Sequence, residues 1–398
     1  MGADHGRAAG TSRPGTASYL REMNHRAVFD ELARTARSRS QLAARTGLSK
    51  PTISGALAHL QRSGLIRPGG FTSGTSGPAA ELFELDPTAG FVVGVQLDAR
   101  TRVAVADLTG SIRARARAPN RVSAGALAAS AAGLAEEAAS EARLDLADAS
   151  VVVVAVPGVP HRPTRSVRAN NLPGADRPGF LDELDHAFRA TCVVANDVNL
   201  AAVGEHRWGA AAGVSDFALV SLAPGLGVSA FIDGRLHNGV HGAAGEVAPL
   251  PAIADNARPV MYEAASTAGL VRLAHRLGLH RIRDAGQLHR AAVEGDRAAA
   301  RAVRTHTRHL ALTIAAAVTV LDPELIVLSG TPDETVVARI AAALRTVVAD
   351  TPTLVTGRLG EEAVLLGAVA AGLPFARERV FARALMSTRA HAAGTPTG

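Results

Sequence analysis

One pattern occurs twice in the chain and constrains its fold more than any other feature. Residues 91–110 have the pattern of a strand, a polar turn and a second strand that closes on an acid-containing glycine turn, and residues 217–234 repeat it. Strands and alanine-rich helices alternate after Pro87, as in an α/β domain whose sheets are covered by helices. The repeat therefore predicts a domain of two related halves, each opening with the same hairpin.

The first 86 residues follow a different pattern. Apolar residues recur at three- and four-residue steps over residues 19–36, which predicts one face of an amphipathic helix. A short second helix is expected over residues 40–46, with Ser38 or Ser40 as its N-cap. Gly47 stands where this helix has to end and the chain has to turn.

A third helix is predicted after the turn, with Ser49 as its cap. Its buried stripe comprises Ile53, Ala56, Leu57 and Leu60, and its opposite face carries Lys50, Thr52, Ser54, Gly55 and His59. Two helices joined by a glycine turn, the second with small polar and basic residues on its free face, form the geometry that places a recognition helix in the major groove. Strands over 65–67 and 82–85 would complete a winged helix. An ordinary packing unit of three helices and a hairpin remains the alternative.

Charge favours the DNA-binding interpretation. Residues 1–80 hold 11 basic and four acidic residues, a net charge of +7, whereas the other 318 residues hold 31 basic and 32 acidic ones. The net +6 of the whole chain therefore lies in its first fifth, which indicates an anionic partner for that segment.

The predicted DNA contacts divide into two groups. Arginines suit the phosphate backbone, and the free face of the third helix suits base edges. The expected phosphate contacts are Arg39, Arg45, Arg62 and Arg67, and the expected base-reading side chains are Lys50, Thr52, Ser54 and His59, with Ser49 at the start of the helix. Arg7 and Arg13 in the N-terminal tail are weaker candidates.

Composition excludes several classes of protein. Cys192 is the only cysteine, so the chain closes no internal disulfide and holds no zinc site that needs two thiolates from one chain. We interpret Cys192 as a small buried hydrophobe. Apolar stretches are shorter than the roughly 20 residues of a membrane span, and the N-terminus has no apolar signal-peptide core. We therefore expect a cytoplasmic protein.

A set of short motifs gives the chain a family resemblance. In chain order they are Val154 to Gly158, Asn171 to Gly174, Asn196 to Glu205, Gly225 to Gly227 with Asp233 and Gly234, Gly242 to Glu246, and Asp322 to Gly330. Together they resemble the ROK family of repressors, open reading frames and sugar kinases, specifically its transcriptional regulators, from about residue 19 to 381. The resemblance implies an α/β fold class: a winged helix-turn-helix joined to a two-lobed, actin-like and sugar-kinase-like (ribonuclease H-like) ATPase fold.

The resemblance also implies an effector site. The family's sugar contacts match Asn171, Asn196, Asp197 and Glu246, whose amides and carboxylates suit a polyol. In kinase members the aspartate matching Asp197 is similar to a general base that takes the proton of the sugar hydroxyl. Retention of Asp197 is equally compatible with sugar binding alone, which we favour here.

Three departures from the family argue against catalysis and metal binding. The first phosphate hairpin lacks its paired glycines around Gln96 and Asp98, and Pro224 replaces a threonine in the second hairpin. Pro249 stands where many members have a histidine, and the family's cysteine triplet is absent. We therefore expect no catalytic residue, no cofactor and no structural zinc. His241 in the nearby loop could substitute in the sugar site, but we favour its interpretation as an exposed loop histidine with no role.

The resulting interpretation is a DNA-binding repressor of carbohydrate metabolism genes, controlled by a sugar or sugar phosphate, that binds operator DNA as a homodimer or homotetramer. The expected domains are a mobile tail at 1–18, the winged helix at 19–86, the sugar-kinase-like domain at 87–384 and a mobile tail at 385–398. Within 87–384, lobe 1 takes 87–200 and the helix at 366–384, and lobe 2 takes 201–365. Two alternatives stay open: a sugar kinase with a DNA-binding appendage, and a ligand-independent DNA-binding protein whose C-terminal domain only dimerises.

Overall fold

The computed structural model describes residues 14–72, 79–120, 123–168, 172–222, 225–250, 264–330 and 334–393. The chain divides into two compact units. The first comprises Met1–Phe91, Ala106–Ser111 and Leu373–Gly398, and the second comprises Val92–Val105 and Ile112–Gly372.

The first unit contains a winged helix. Its elements are α1 (Pro14–Leu32), β1 (Arg37–Ser38), α2 (Arg39–Thr46), α3 (Lys50–Arg62), β2 (Ile66–Phe71) and β3 (Glu81–Leu85). The three strands form one sheet in the order β1-β3-β2, with β3 antiparallel to both neighbours. The predicted wing is thus confirmed, with longer strands than the sequence indicated.

Local signals of the helix-turn-helix are confirmed. Ser38 is the N-cap of α2 and forms a capping box with Gln41, and Gly47 ends the helix in the left-handed conformation at φ 72°. Ser49 caps α3 by accepting a hydrogen bond from the backbone N–H of Thr52 at 3.4 Å. The predicted stripe of α3 is buried at all four positions.

The first helix differs from its prediction at both ends. It begins at Pro14 and ends at Leu32, and the chain is already extended at Arg37. Only its last two turns are deeply buried, through Val28, Phe29 and Leu32, whereas Leu20 is 54% exposed and Met23 51% exposed. The periodic pattern was correct for a helix but included apolar residues that lie beyond its contact with α2 and α3.

The second unit is built on two five-stranded sheets. The first contains β4 (Phe91–Leu97), β5 (Arg100–Asp107), β6 (Ile112–Pro119), β7 (Val151–Val156) and β10 (Cys192–Asn196), in the order β10-β7-β4-β5-β6. The second contains β11 (Phe217–Ser221), β12 (Gly227–Ile232), β13 (Arg235–His237), β14 (Leu325–Ser329) and β15 (Thr353–Thr356), in the order β13-β12-β11-β14-β15. A small antiparallel pair is formed by β8 (Val159–His161) and β9 (Ser166–Arg168).

The two large sheets share one strand order, which confirms the predicted duplication. In each, the first strand of the hairpin is central, with the next two strands on one side of it. On its other side lie two parallel strands, β7 and β10 in the first sheet and β14 and β15 in the second. Both central strands are fully buried because helices cover the sheets.

The other helices all come after β6 in the chain. They are α4 (Leu127–Glu141), α5 (Phe180–Phe188), α6 (Asp197–Trp208), α7 (Thr267–Arg276), α8 (Ala285–Val293), α9 (Arg297–Leu321), α10 (Glu334–Leu344) and α11 (Ala363–Ala393), with short 3-10 turns at Ala124–Ala126, Leu146–Asp148 and Gly360–Glu362. Within the described residues, no helix is both long and apolar enough to span a bilayer.

The last helix corrects the prediction for the C-terminus. Residues 385–393, expected to be a mobile tail, continue α11, and residues 14–18 at the other end belong to α1. The tail was predicted from its small, polar, Gly/Pro/Ser/Thr-rich composition, but Ala390, Ala392 and Ala393 favour helix. Pro374 lies inside α11, next to the point where the chain passes from the second unit to the first.

Candidate functional site

The candidate site lies where the parallel strands of the first sheet end. Gln96 of β4 is paired in register with Ala155 of β7, and Ala155 is paired with Ala195, the residue before Asn196. A cleft of about 1100 Å³ opens at this edge. Its volume suits a small-molecule ligand. Polar residues that line it include Gln96, Asp98, Asn196, Asp197 and Glu246.

Asn196 fixes the first turn of α6. Its side-chain oxygen accepts a hydrogen bond from the backbone N–H of Asn199 at 3.0 Å, and its Nδ2 donates to the carbonyl oxygen of Gly158 at 3.1 Å. Both ends of the amide are therefore engaged within the protein. Asn196 lines the cleft, and these two hydrogen bonds fix the orientation of its side chain.

Asp197 is the most perturbed acid of the site. Burial raises the pKa of its carboxyl to about 7, and the neighbouring carboxylates of Asp98 and Glu246 add to this, while a 2.8 Å hydrogen bond from the backbone N–H of Val198 opposes it. Burial also raises the pKa of Glu246. The cleft thus gathers the side chains of Asp98, Asp197 and Glu246, whose oxygens are hydrogen-bond acceptors.

Two glycines allow the segments around β12 and Glu246 to pack closely next to the acidic side chains. Gly245 adopts φ +86°, and a Cβ there would lie 1.8 Å from the carbonyl oxygen of Val228, so only glycine fits next to Glu246. Gly227 starts β12 against Val198, whose Cγ2 would be 3.0 Å from an added Cβ. The motif glycines therefore bring the second hairpin and the Glu246 loop against the start of α6.

The first hairpin presents side chains rather than glycines. Gln96 is buried, and its Nε2 donates to Asp98 Oδ2 at 2.7 Å. Asp98 Oδ1 accepts from the backbone N–H of Arg100 at 2.7 Å, and Asn120 Nδ2 donates to the Asp98 carbonyl oxygen at 3.0 Å. From the sequence, the hairpin was notable only for having no glycine after Gly94, and no role was predicted for Asp98 or Asn120. Their convergence depends on pairing between strands.

The far end of α6 is held by a buried carboxylate. Glu205 is fully buried and accepts hydrogen bonds from the backbone N–H groups of Ala210 at 2.7 Å, Arg358 at 3.0 Å and Leu359 at 2.9 Å. Two of these donors come from the loop before α11. Glu205 therefore joins α6, which begins in the cleft, to the segment that leads into the last helix.

Several predicted features of the site give mixed outcomes. Asn171, Pro224, Arg7 and Arg13 lie outside the described residues, as does the stretch 251–263. Pro249 lines the cleft, whereas His241 is exposed and is absent from the lining. Across the described ranges, no three histidine, cysteine or acidic side chains are grouped so that they could hold a metal ion. Cys192 is partly buried in β10, and burial raises the pKa of its thiol to about 12.

The predicted DNA-reading face is on the outside of α3. Lys50 and Ser54 are exposed, and Thr52 is partly buried with its hydroxyl 2.8 Å from that of Ser49. The His59 ring stacks on His25 of α1 at a centroid distance of 4.3 Å. Burial lowers the pKa of His25 to about 4, with repulsion from His59 and two arginines. His59 therefore also serves in packing α3 on α1.

Three of the four predicted phosphate contacts are ion-paired. Arg39 pairs with Glu81 at 2.9 Å, Arg45 with Glu31 at 3.3 Å and Arg67 with Glu84 at 2.8 Å. These arginines are half-exposed, and pairs of this kind contribute about 0 to 1 kcal/mol, so phosphate can displace the glutamates. Among the residues that the structure describes, no acid pairs with Lys50 or Arg62. The DNA-binding set stays a prediction, with Lys50 and Arg62 its best-placed members.

Comparison with known proteins divides the chain in the same way. The model of the ROK family matches residues 93–371, and the model of the MarR family matches residues 22–70. A glucokinase from Halalkalibacterium halodurans is 29% identical over 182 residues, which cover 41% of this chain and 55% of the relative. The DNA-binding transcriptional dual regulator NagC of Escherichia coli K12 is 25% identical over 166 residues, covering 38% of this chain and 41% of the relative.

Among solved structures, a ROK family transcriptional regulator described as a homolog of the E. coli MLC protein superposes with a TM-score of 0.72 at 19% identity. The match covers 93% of this chain and all of that one. At this identity the likeness concerns the fold, and it extends over the winged helix as well as the two sheets. The chain spans about half the length of the curated relatives it matches.

Proposed function

The chain belongs to the ROK family, and we propose that it is a DNA-binding repressor of carbohydrate metabolism genes whose operator affinity is set by a sugar or sugar phosphate. One observation carries the proposal: a MarR-type winged helix precedes the ROK domain in the same chain. A kinase has no chemical use for a recognition helix, whereas a regulator needs both a DNA-reading element and a ligand pocket.

The DNA-binding half is supported by charge and exposure. The first 80 residues carry +7, and the outward face of α3 presents Lys50 and Ser54. Lys50 is the natural base-reading residue because its ammonium has no acidic partner in the described part of the chain. Arg62, the last residue of α3, is the natural phosphate contact.

The effector half is supported by the acidic lining of the cleft. Asp98, Asp197 and Glu246 are acceptors for sugar hydroxyls, and the rigid Asn196 amide frames them. A ligand that donates hydrogen bonds to these groups offsets the cost of burying them together. This is the chemistry of a polyol site.

The ligand-binding and DNA-binding halves of the proposed regulator are connected through α11. α11 contributes its first turns to the second unit and its later turns to the first. Within the first unit, Phe381 of α11 contacts Phe29 of α1 at a ring-centroid distance of 5.3 Å, and Glu378 pairs with Arg26. In a dimer, a ligand-induced change would alter the spacing of two recognition helices, which must match half-sites about 34 Å apart or a multiple of that distance.

The alternative function is an ATP-dependent sugar kinase with a DNA-binding appendage. It is favoured by one observation, the pKa of about 7 at Asp197, because a general base works best near the operating pH. Against it, the first hairpin has no glycine after Gly94, so its backbone cannot approach a phosphate group closely. A coupled assay showing sugar-dependent ATP turnover that Asp197→Asn abolishes would establish the kinase.

The proposal is tested by a gel shift of the purified protein on DNA upstream of its own gene and of the neighbouring genes, with unrelated DNA as competitor. We expect a specific complex that survives a large excess of competitor. Binding that is weak, salt-sensitive and indifferent to sequence would contradict the regulator. Calorimetry with a sugar panel then separates an effector-controlled repressor from a DNA-binding protein whose second domain only dimerises.

A further inference from the structure

We propose that Gln96 is an effector-binding residue, whose side-chain oxygen accepts a hydrogen bond from a hydroxyl group of the sugar in the cleft. The inference rests on the proposed function, since it takes this cleft to be the effector site. It converts the altered first hairpin from a damaged phosphate site into a subsite for an unphosphorylated end of the ligand.

The orientation of the Gln96 amide is fixed by its neighbour. Nε2 donates to Asp98 Oδ2 at 2.7 Å, and a flipped amide would set its oxygen against that carboxylate. Asp98 cannot swing away easily, because the backbone N–H of Arg100 donates to its other oxygen and Asn120 holds its carbonyl group. The chain therefore positions the amide with its oxygen turned away from Asp98.

That oxygen has no partner. Gln96 is only 8% exposed, and its Oε1 is buried without a hydrogen bond from any residue that the structure describes. A buried acceptor without a donor costs free energy, so native proteins rarely keep one unless something else supplies the donor. Gln96 lines the cleft, and a ligand there is the group that can supply it.

Strand pairing places Gln96 at the same edge of the sheet as the predicted sugar contacts Asn196 and Asp197. β4, β7 and β10 are parallel neighbours, with β7 between the other two. Gln96 in β4 and Asn196 in β10 lie near the same ends of their strands. Two strand spacings separate them by about 10 Å. Both residues line the cleft that opens where these strands end.

The surroundings of Gln96 select the kind of donor. Asp98 lies beside it, and both residues line the cleft and carry oxygen acceptors. A phosphate dianion brings only acceptors and a negative charge, so it would leave Oε1 unpaired and face the Asp98 carboxylate. A neutral hydroxyl donates without repulsion. The part of the effector that contacts Gln96 therefore carries a free hydroxyl group rather than a phosphate ester.

The test is calorimetry with Gln96→Met, which keeps the length of the side chain and removes the acceptor. The probes are glucose, xylose and N-acetylglucosamine, with their monodeoxy analogues and phosphate esters. For the sugar that the wild-type protein binds best, we expect at least a tenfold weaker Kd in Gln96→Met, with no loss of melting temperature in the free protein. Gln96→Asn, which withdraws the amide by one methylene, should weaken binding similarly. Gln287→Met, in α8, is the control and should bind as the wild type does.

A deoxy-sugar cycle separates direct contact from a structural effect. One monodeoxy analogue should bind the wild type about tenfold more weakly than the parent sugar but bind Gln96→Met as well as the parent does. Equal losses with every analogue in both proteins, or an unchanged Kd in Gln96→Met, would overturn the inference and leave the proposed function standing. If the wild-type protein binds no sugar of the panel, both are overturned.

Discussion

Gly204 and Gly367 bring the backbones of α6 and α11 into direct contact. A Cβ on Gly204 would lie 2.5 Å from the carbonyl oxygen of Ala363, and a Cβ on Gly367 would lie 1.7 Å from that of Leu200. α6 begins at Asp197 in the cleft, and α11 runs on from this crossing past Pro374. The helix that begins at Asp197 is therefore packed, with no side chain between the two backbones at this crossing, on the helix that leaves the second unit.

We expect Gly367→Ala to destabilise the protein by more than about 2 kcal/mol. The added methyl group would overlap backbone atoms, which cannot move aside as a flexible side chain can. Gly133→Ala is the matched control, because Gly133 lies on the exposed face of α4 with open space around it. That variant should be neutral or up to about 1 kcal/mol more stable. Urea unfolding of both variants checks this, and equal stability would contradict the backbone contact.

Asp197→Asn should stabilise the free protein in a pH-dependent way. The folded-state pKa of Asp197 is about 7, above an unfolded value of about 4, so ionisation progressively lowers the wild-type stability as the pH rises from about 4 to 7. The gain from Asp197→Asn should be absent near pH 4 and reach about 1 to 3 kcal/mol at pH 8. Melting curves at both pH values measure it, with the exposed Asp350→Asn as control. A pH-independent difference would show that the Asp197 carboxyl titrates normally.

Lys50→Ala should weaken specific operator binding by about 1 to 3 kcal/mol and relax selectivity at one base pair. Arg62→Ala should weaken all DNA binding alike and reduce the salt slope by about one, because it removes a phosphate contact. Arg281→Ala, an exposed cation in the second unit, should change neither quantity. Fluorescence anisotropy over a salt series separates the three variants. Unchanged operator affinity in Lys50→Ala would remove this residue from the interface.

Glu205→Gln should cost about 2 to 4 kcal/mol of stability. The carboxylate accepts three backbone hydrogen bonds, and an amide would present N–H groups to at least one backbone donor and leave it unpaired. Glu141→Gln, at the exposed end of α4, should be neutral. Thermal unfolding of the two variants makes the comparison. A neutral Glu205→Gln would contradict the role of this carboxylate as an anchor between α6 and the loop before α11.

The parts of the fold that could be predicted depend on local signals. The cap at Ser49, the turn at Gly47 and the stripe of α3 follow from residues within one or two helical turns, and the repeated hairpins follow from strand patterns. The predicted ends of α1 were wrong, because the apolar periodicity does not show where α1 stops contacting α2 and α3. Leu20 and Met23 fit the helical period and are nevertheless exposed.

The site could be predicted in part. Asn196, Asp197 and Glu246 line one cleft, as their motifs suggested, although they are separated by up to 50 positions. Gln96 and Glu205 were missed, because their significance lies in contacts that only strand pairing and helix packing create. For Glu205, two of its three donors are more than 150 residues away in sequence. A buried carboxylate among backbone donors leaves no periodic signal.

Measurement of operator affinity during a sugar titration directly tests whether a sugar effector controls DNA binding. The sugar is the one that binds most tightly in the calorimetric panel, and the readout is the anisotropy of a labelled operator with wild-type protein and with Asp197→Ala. We expect saturating sugar to change the wild-type operator Kd by about 5- to 150-fold, the range of typical allosteric coupling, while Asp197→Ala binds the operator equally well without sugar and responds only at much higher sugar concentrations. An operator Kd that stays constant while calorimetry shows the cleft to be saturated would contradict effector control.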